Sequence, residues 1–254
     1  RFLSLGAAPE RTYVMGNIKF DYEPDTETPR QGRSLRKTLF GERPVWIAAS
    51  THEGEEQLVL DVHEALRARH DDLLLVLVPR HPERFSAVRD LVRKRGFTVV
   101  SRTEGRPAGD AAVFLCDTMG EVPLFYAASD IAFVAGSLVP IGGHNLLEPA
   151  ALGIPVVTGP HNFNAQDIAD LFVQMGACRR VNDPGELAET VSELLSSPEA
   201  AARLGQAGQQ VLEDNRGALE RLLVLNPAIV PDEAVFNPQM MAVFEAVASR
   251  VRGG

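Results

Sequence analysis

The chain has 254 residues, enough for one large domain or one domain with an appendage. Its 45% hydrophobic and 23% charged residues fit an ordinary soluble globular protein, and no apolar run approaches the roughly 18 to 20 residues that span a bilayer. A formal net charge of -9 argues against general nucleic-acid binding, which needs a basic face, but leaves room for a pocket that takes one nucleotide. Two cysteines, Cys116 and Cys178, make neither a ligand cluster nor a disulfide framework, and read as buried free thiols in a reducing compartment. No stretch reads as a signal peptide, and Arg1 rather than Met opens the sequence, so a fragment or a processed chain is expected.

In chain order, residues 1–28 read as entry and linker, with a short strand possible at Thr12–Asn17 and a loop over the acidic, proline-bearing Asp21–Pro29. A helix is predicted near Gly32–Leu39, then a buried strand at Pro44–Ala49 and a loop beginning Ser50-Thr51-His52-Glu53. The next helix carries Leu58, Val59, Val62 and Leu66 on one stripe, with Glu55 and Glu56 in its first turn. Leu73–Val78 is the clearest strand, followed by Pro79-Arg80-His81 and a helix from Pro82 to about Arg95. Strands at Phe97–Val100 and Ala112–Leu115 flank a polar loop; the second leads into Met119-Gly120-Glu121 and a helix to about Ala127. Ile131–Val134 is a further strand. After Val157 come a loop with Asn164 as candidate cap of a helix at Ala165–Met175, a short extended piece at Cys178–Val181, and helices near Pro184–Leu195, Pro198–Leu212 and Gly217–Leu223. In the last stretch, Met240–Val251 forms an amphipathic pattern through Met241, Phe244, Val247 and Val251. Strands alternating with helices of about 10 to 15 residues predict an α/β fold with a Rossmann-like, doubly wound parallel sheet, which binds ligands beyond the carboxyl ends of its strands.

The chain is organised around residues 135–159, read as strand, glycine loop, short helix and strand. Gly142-Gly143 lets the backbone approach a ligand closely. A helix is predicted to start near His144-Asn145, because Pro149 fits only in a first turn, and its free N–H groups would suit a phosphate or carboxylate. Gly153 stops it. Glu148 follows His144 and Asn145 by four and three residues, so the three share one helical face. Taken alone, the two glycines favour the reading as packing residues of a β-α-β turn.

The string Gly-Gly-His-Asn-x-x-Glu-Pro, with Gly-x-Pro soon after, resembles the donor-sugar motif of GT-B glycosyltransferases, in detail that of the lipid A Kdo transferases, which use CMP-Kdo (Kdo, 3-deoxy-D-manno-octulosonic acid). Gly16-Asn17-Ile18-Lys19-Phe20-Asp21 resembles the segment joining the two halves of such an enzyme, and the resemblance extends over roughly residues 10–223. It implies that this chain is the C-terminal, donor-binding half of a GT-B fold, with residues 1–28 a linker from a missing N-terminal domain, 29–225 the CMP-sugar-binding domain, and 226–254 a helical tail with no assigned role.

Polar loops after successive strands should meet at one edge, and each matches the family pattern. Donor-binding candidates are Ser50, Thr51, Glu53, Arg80, His81, Met119, Gly120, Glu121, Gly142, Gly143, His144, Asn145 and Glu148. By the resemblance, Gly142, Gly143 and Asn145 would hold the phosphate or sugar carboxylate, Glu148 would bind hydroxyls of the ribose or sugar, and Met119 and Gly120 would sit near the cytosine. From the residues alone, Arg80 also reads as a solvated arginine, Ser50 and Thr51 as helix caps, His81 as a loop residue and the Met119–Glu121 turn as a helix start. His52 has no partner evident in sequence.

The family inverts the anomeric centre: an acceptor hydroxyl attacks as CMP leaves through an oxocarbenium-like transition state. No catalytic residue is assigned here, because the resemblance places the base, the acceptor site for a lipid A precursor and the membrane contact in the missing half. The parent would act at the cytoplasmic face of the bacterial inner membrane, with this chain itself soluble. No cofactor, metal or nucleic-acid partner is expected; there is no Asp-x-Asp motif, and His and Asp lack ligand spacing. Alternatives are another GT-B enzyme using a UDP- or GDP-sugar, a UDP-GlcNAc 2-epimerase among them, or a non-catalytic sugar-nucleotide-binding domain. A Rossmann dehydrogenase is disfavoured, since no Gly-x-Gly-x-x-Gly follows the first strand.

Overall fold

The structure, a computed structural model, describes residues 2–226 and 238–253. In chain order its elements are α1 (Thr28–Leu39), β1 (Val45–Thr51), α2 (Glu55–Arg67), β2 (Leu74–Pro79), α3 (Phe85–Lys94), β3 (Val99–Ser101), β4 (Val113–Leu115), α4 (Val122–Ala127), β5 (Ile131–Val134), α5 (Leu147–Ala151), β6 (Val156–Thr158), α6 (Gln166–Gln174), β7 (Arg179–Arg180), α7 (Pro184–Ser196), α8 (Pro198–Asn215), α9 (Ala218–Leu225) and α10 (Pro238–Gly253). The predicted sequence of strands and helices is therefore present, with local differences, two of them near the N-terminus. Helix α1 starts four residues early, because Pro29 falls in its first turn where no N–H is required. Thr12–Asn17 is not a strand: Tyr13 and Val14 are exposed, and no strand among the described residues pairs with them.

Contacts divide the chain into two compact units, 24–211 and 1–23 with 212–254, rather than at 28 and 225; the second division falls inside α8. In the larger unit seven parallel strands form one sheet in the order β3-β4-β2-β1-β5-β6-β7. Helical crossovers put apolar layers on both faces, so central strands must be apolar throughout. Strand β2, Leu-Leu-Val-Leu-Val-Pro, is wholly buried. Successive side chains go to opposite layers. Trp46, Ala48, Leu75 and Leu77 join Val59, Leu66, Val88, Leu187 and Val191 on one side, while Val45, Ile47, Leu74 and Val76 join Leu39, Phe114, Phe125 and Tyr126 on the other. Each fully buried Leu, Val or Ile contributes about 1.5–3 kcal/mol. Gly32 matters here, since a Cβ at that position would lie 2.3 Å from the Ala127 Cβ, so only glycine lets α1 and α4 approach this closely.

Helix α2 buries more than its predicted stripe. Leu60 and His63 are buried as well, and Leu58 is only half-buried. The Trp46 indole donates to His63 Nδ1 (3.2 Å), and His63 Nε2 lies 2.9 Å from the Ala112 carbonyl oxygen. This arrangement requires a neutral ring with the proton on Nε2. Burial, opposed by that carbonyl bond, lowers the His63 pKa to about 3.

In the smaller unit Leu219 and Leu223 of α9 pack with Phe244, Val247 and Ala248 of α10, and Ile18 and Val251 lie against them. The apolar pattern expected at Met240–Val251 is thus a helix whose Phe244 and Val247 are buried. Residues 227–237 and 254, part of the expected tail, lie outside the described residues. Asp21 accepts the N–H groups of Gly217 (2.6 Å) and Leu219 (2.7 Å), capping the start of α9.

Strand order changes direction at β1, with β2, β4 and β3 on one side and β5, β6 and β7 on the other. This switch point separates the loop after β1 from the loop after β5, the place where doubly wound sheets hold ligands.

Candidate donor site at the strand switch point

The β1–β2 ladder shifts register between Ala49 and Thr51. Ser50 sits at this bulge with φ +64°, the left-handed region that non-glycine residues seldom adopt. Ser50 and Thr51 therefore belong to the strand rather than to the loop. Thr51 is buried, and its hydroxyl donates to Glu56 Oε1 (3.2 Å). Glu56 is buried too and accepts a bidentate pair from Arg84 (2.9 and 3.2 Å). Thr51 thus completes a buried polar network rather than capping α2 or facing the crevice. Glu53 is exposed.

Glu55 stands in the first turn of α2, as predicted, but its side chain does not face solvent. It is fully buried and reaches across to the loop after β5. Its carboxylate accepts the N–H groups of Gly136 (2.7 Å), Leu138 (3.0 Å), Ser137 (3.1 Å) and His52 (3.3 Å). Burial raises the Glu55 pKa, and the four N–H bonds oppose that shift.

The glycine loop is locked from its other side by the loop after β6. Asn164 N–H donates to Gly142 O (3.0 Å), Gly143 N–H to Gly136 O (2.8 Å) and Gly159 N–H to the Ser137 hydroxyl (2.8 Å). A Cβ on Gly142 would lie 2.5 Å from the Phe163 ring, and one on Gly143 would lie 2.6 Å from Asn162 Oδ1. Both glycines also have positive φ, +108° and +73°. Their immediate role is therefore to let two loops close on each other, the packing alternative left open by the sequence. Asn164 does not cap α6, which starts at Gln166 with Ala165 before it; its amide donates to Ile141 O (3.1 Å) and Gly143 O (3.4 Å).

Helix α5 begins at Leu147, three residues later than expected, and has only five residues. The Asn145 side chain serves as its cap: Oδ1 accepts the Leu147 N–H (3.1 Å) and Nδ2 donates to Glu148 Oε1 (3.1 Å). So short a helix has little dipole. What the loop offers an anion is a run of N–H groups at His144, Asn145 and Leu146, which have no protein acceptor among the described residues. Glu148 is half-buried, and burial raises its pKa against the opposing pull of Asn145 and Arg80.

Two imidazoles meet in the crevice. His52 Nε2 and His144 Nε2 lie 2.8 Å apart, with parallel rings meeting edge to edge, and His81 stands edge-on to His52. Burial lowers the His144 pKa to about 4, helped by His52, Arg80 and His81. Burial also lowers that of His52, with His81, Arg80 and Arg84 adding to it. Arg80 is exposed, and its guanidinium has no hydrogen bond or ion pair among the described residues, though its charge acts on His52, His144 and Glu148. The site thus joins an unpaired guanidinium, neutral imidazoles, free N–H groups and a carboxylate, a set suited to a small polyhydroxylated anion.

The turn after β4 is two strands from β1. Met119 is exposed, and Gly120 has φ +81° with open space around it. Glu121 is engaged elsewhere: Arg102 donates to it at 2.9 and 3.1 Å, and Thr118 donates as well. Its visible role is to hold the turn.

Residues 48–211 match the family model described as "Glycosyl transferases group 1". The chain belongs to this family. It is 48% identical to the 3-deoxy-D-manno-octulosonic acid transferase of Haemophilus influenzae over 227 residues, covering 89% of this chain and 53% of that protein. The namesake from Bordetella pertussis is 34% identical, covering 83% of this chain and 50% of that protein. Among solved structures, the C-terminal CMP-Kdo binding domain of WaaA from Acinetobacter baumannii matches with a TM-score of 0.70 and 36% identity, covering 73% of this chain and 98% of that domain. These similarities bear out the resemblance to Kdo transferases and the Rossmann-like GT-B fold, and they do not favour the UDP- or GDP-sugar alternatives. The chain spans about half the length of the curated relatives it matches. No helix among the described residues is long and apolar enough to cross a membrane.

Proposed function

We propose that this chain is the donor-binding half of a Kdo transferase and binds CMP-Kdo in the crevice at the β1–β5 switch point. The observation that carries the reading is the 36% identity across nearly all of a domain named for CMP-Kdo binding, combined with the convergence of Arg80, His144, Asn145 and Glu148 at one strand edge. In this reading Arg80 and the N–H groups of residues 144–146 hold the phosphate and the sugar carboxylate, and Glu148 accepts hydroxyls of the ribose or sugar. Met119 and Gly120 offer an exposed apolar and backbone shelf to the cytosine. Ser50, Thr51, Glu55 and Glu121 act behind this layer by fixing the loops.

Transfer to a lipid A precursor needs an acceptor hydroxyl, a base to take its proton and a site that stabilises the departing CMP. The present residues supply the last of these. As negative charge builds on the leaving phosphate, Arg80 and the preset N–H groups meet it without reorganising. Base, acceptor site and contact with the cytoplasmic face of the inner membrane belong, in this proposal, to the remaining half of the parent protein.

Calorimetric titration of the chain with CMP, UDP and GDP tests the donor assignment. Selective CMP binding, weakened in both Arg80→Ala and Glu148→Ala, supports it. A preference for UDP or GDP would overturn the CMP-Kdo reading and leave the GT-B fold untouched.

A further inference from the structure

The contact between His52 and His144 joins two loops 92 positions apart in sequence and has chemistry of its own. The two Nε2 atoms are 2.8 Å apart and the rings are parallel to within 4°. One proton lies between them, which fixes both tautomers. The ring that donates through Nε2 has a bare Nδ1; the ring that accepts carries its proton on Nδ1. Neither Nδ1 has a protein partner among the described residues.

We propose that the His52–His144 pair is a one-proton oxyanion receptor within the donor site, taking up a single proton from solvent when the donor's phosphate or carboxylate arrives. This rests on the donor-site reading above. The incoming proton joins the bare Nδ1. The Nε2–H···Nε2 bond is kept, and no other bond breaks. The pair becomes a monocation with two outward Nδ1–H donors. A second proton would have to take the accepting Nε2 and set two cations 2.8 Å apart, so the capacity is one.

The surroundings favour this response. Arg80, Arg84 and His81 follow β2 and disfavour charge on the pair in the free chain, as burial also does. Against them stand Glu148, coupled to Arg80, and Glu55, which accepts the His52 N–H; Glu53 is exposed to solvent. The pair is therefore neutral without ligand. An oxyanion reverses the local balance and charges it. Because the bound state holds the extra proton, affinity must rise as pH falls, by up to about tenfold per pH unit.

The test is NMR of nitrogen-15-labelled imidazoles in the 254-residue chain at pH 6, titrated separately with CMP and with free Kdo, alongside CMP calorimetry in buffers of different ionisation heat. The bare Nδ1 signal should vanish on saturation: with CMP if the phosphate is read, with Kdo if the carboxylate is read. The wild type should take up more protons on binding CMP than His52→Gln or His144→Gln. A bare Nδ1 that survives both ligands, or equal proton uptake in wild type and variants, overturns the receptor and leaves CMP binding standing. The NMR result needs no variant to fold. Absence of any CMP heat or shift in the wild type would overturn the donor site itself and the receptor with it.

Discussion

Glu55 Oε2 accepts the Gly136 N–H at 2.7 Å, so the first residue of α2 fixes the loop that follows β5, 81 positions away. Three further N–H groups share the same buried carboxylate. Glu55→Ala would leave four donors without an acceptor. Each orphaned buried group costs about 1–3 kcal/mol, and the expected loss is roughly 3–5 kcal/mol after the loop relaxes. Urea denaturation should show this, with CMP binding weakened in parallel. Unchanged stability would mean that the loop does not depend on Glu55.

Gly136 and Gly120 both have positive φ, +70° and +81°, but only Gly136 is crowded. A Cβ there would lie 2.8 Å from His144 Cδ2 and 3.0 Å from Nε2, whereas at Gly120 it would meet nothing within 4 Å. Gly120→Ala should cost about 1–2 kcal/mol from backbone strain alone. Gly136→Ala should cost more and also displace His144, lowering CMP affinity by about tenfold or more. Thermal melts and CMP titration of the two variants make the comparison, and equal effects would refute the crowding argument.

The Arg80 guanidinium makes no hydrogen bond or ion pair among the described residues, so it contributes little to stability. Arg80→Ala should leave the unfolding midpoint within about 0.5 kcal/mol of wild type. Loss of a charge-assisted bond to a phosphate should weaken CMP by roughly 10- to 100-fold, about 1.5–3 kcal/mol. A large destabilisation would show that the arginine is structural.

His63 gives the fold an acid-sensitive point. Its folded pKa of about 3 lies below the unfolded value of ~6.5, so its contribution is complete above pH ~6.5 and is lost as pH falls toward about 3. By pH ~5 the loss from this residue is on the order of 2 kcal/mol. Glu55 and Glu56, whose pKa values are raised by burial, act in the opposite direction at low pH. The diagnostic is therefore a difference: denaturation of wild type and His63→Gln at pH 7 and pH 5 should give a smaller pH effect in the variant. Parallel pH dependence would show that His63 does not titrate as described.

Much of this was legible in the residues. The run from Leu73 to Val78 marks a central strand because a sheet covered on both faces needs apolar side chains on both. Gly-x-Pro at residues 153–155 marks the end of α5 because each of these residues breaks a helix in its own way. Local chemistry of this kind is written in neighbouring residues. Sequence misled where a residue's partner is distant. Asn164 has the type and place of a helix cap, yet its amide turns back to Ile141 and Gly143. Of the donor-binding candidates, Glu121 is held by Arg102, a partner distant in the chain, and Thr51 by Glu56.

The sequence by itself determined the alternation of strands and helices, the family and the loops that gather at one sheet edge, because apolar periodicity, glycine, proline and motif spacing act over a few residues. Only the tertiary structure decided which polar groups in those loops are spent on each other and which remain for a ligand. An acid in a helix's first turn looks the same whether it faces water or, like Glu55, is buried against four N–H groups. His52 and His144 became a pair only when β1 and β5 were laid side by side, since sheet order, not chain order, sets what lies within hydrogen-bonding distance.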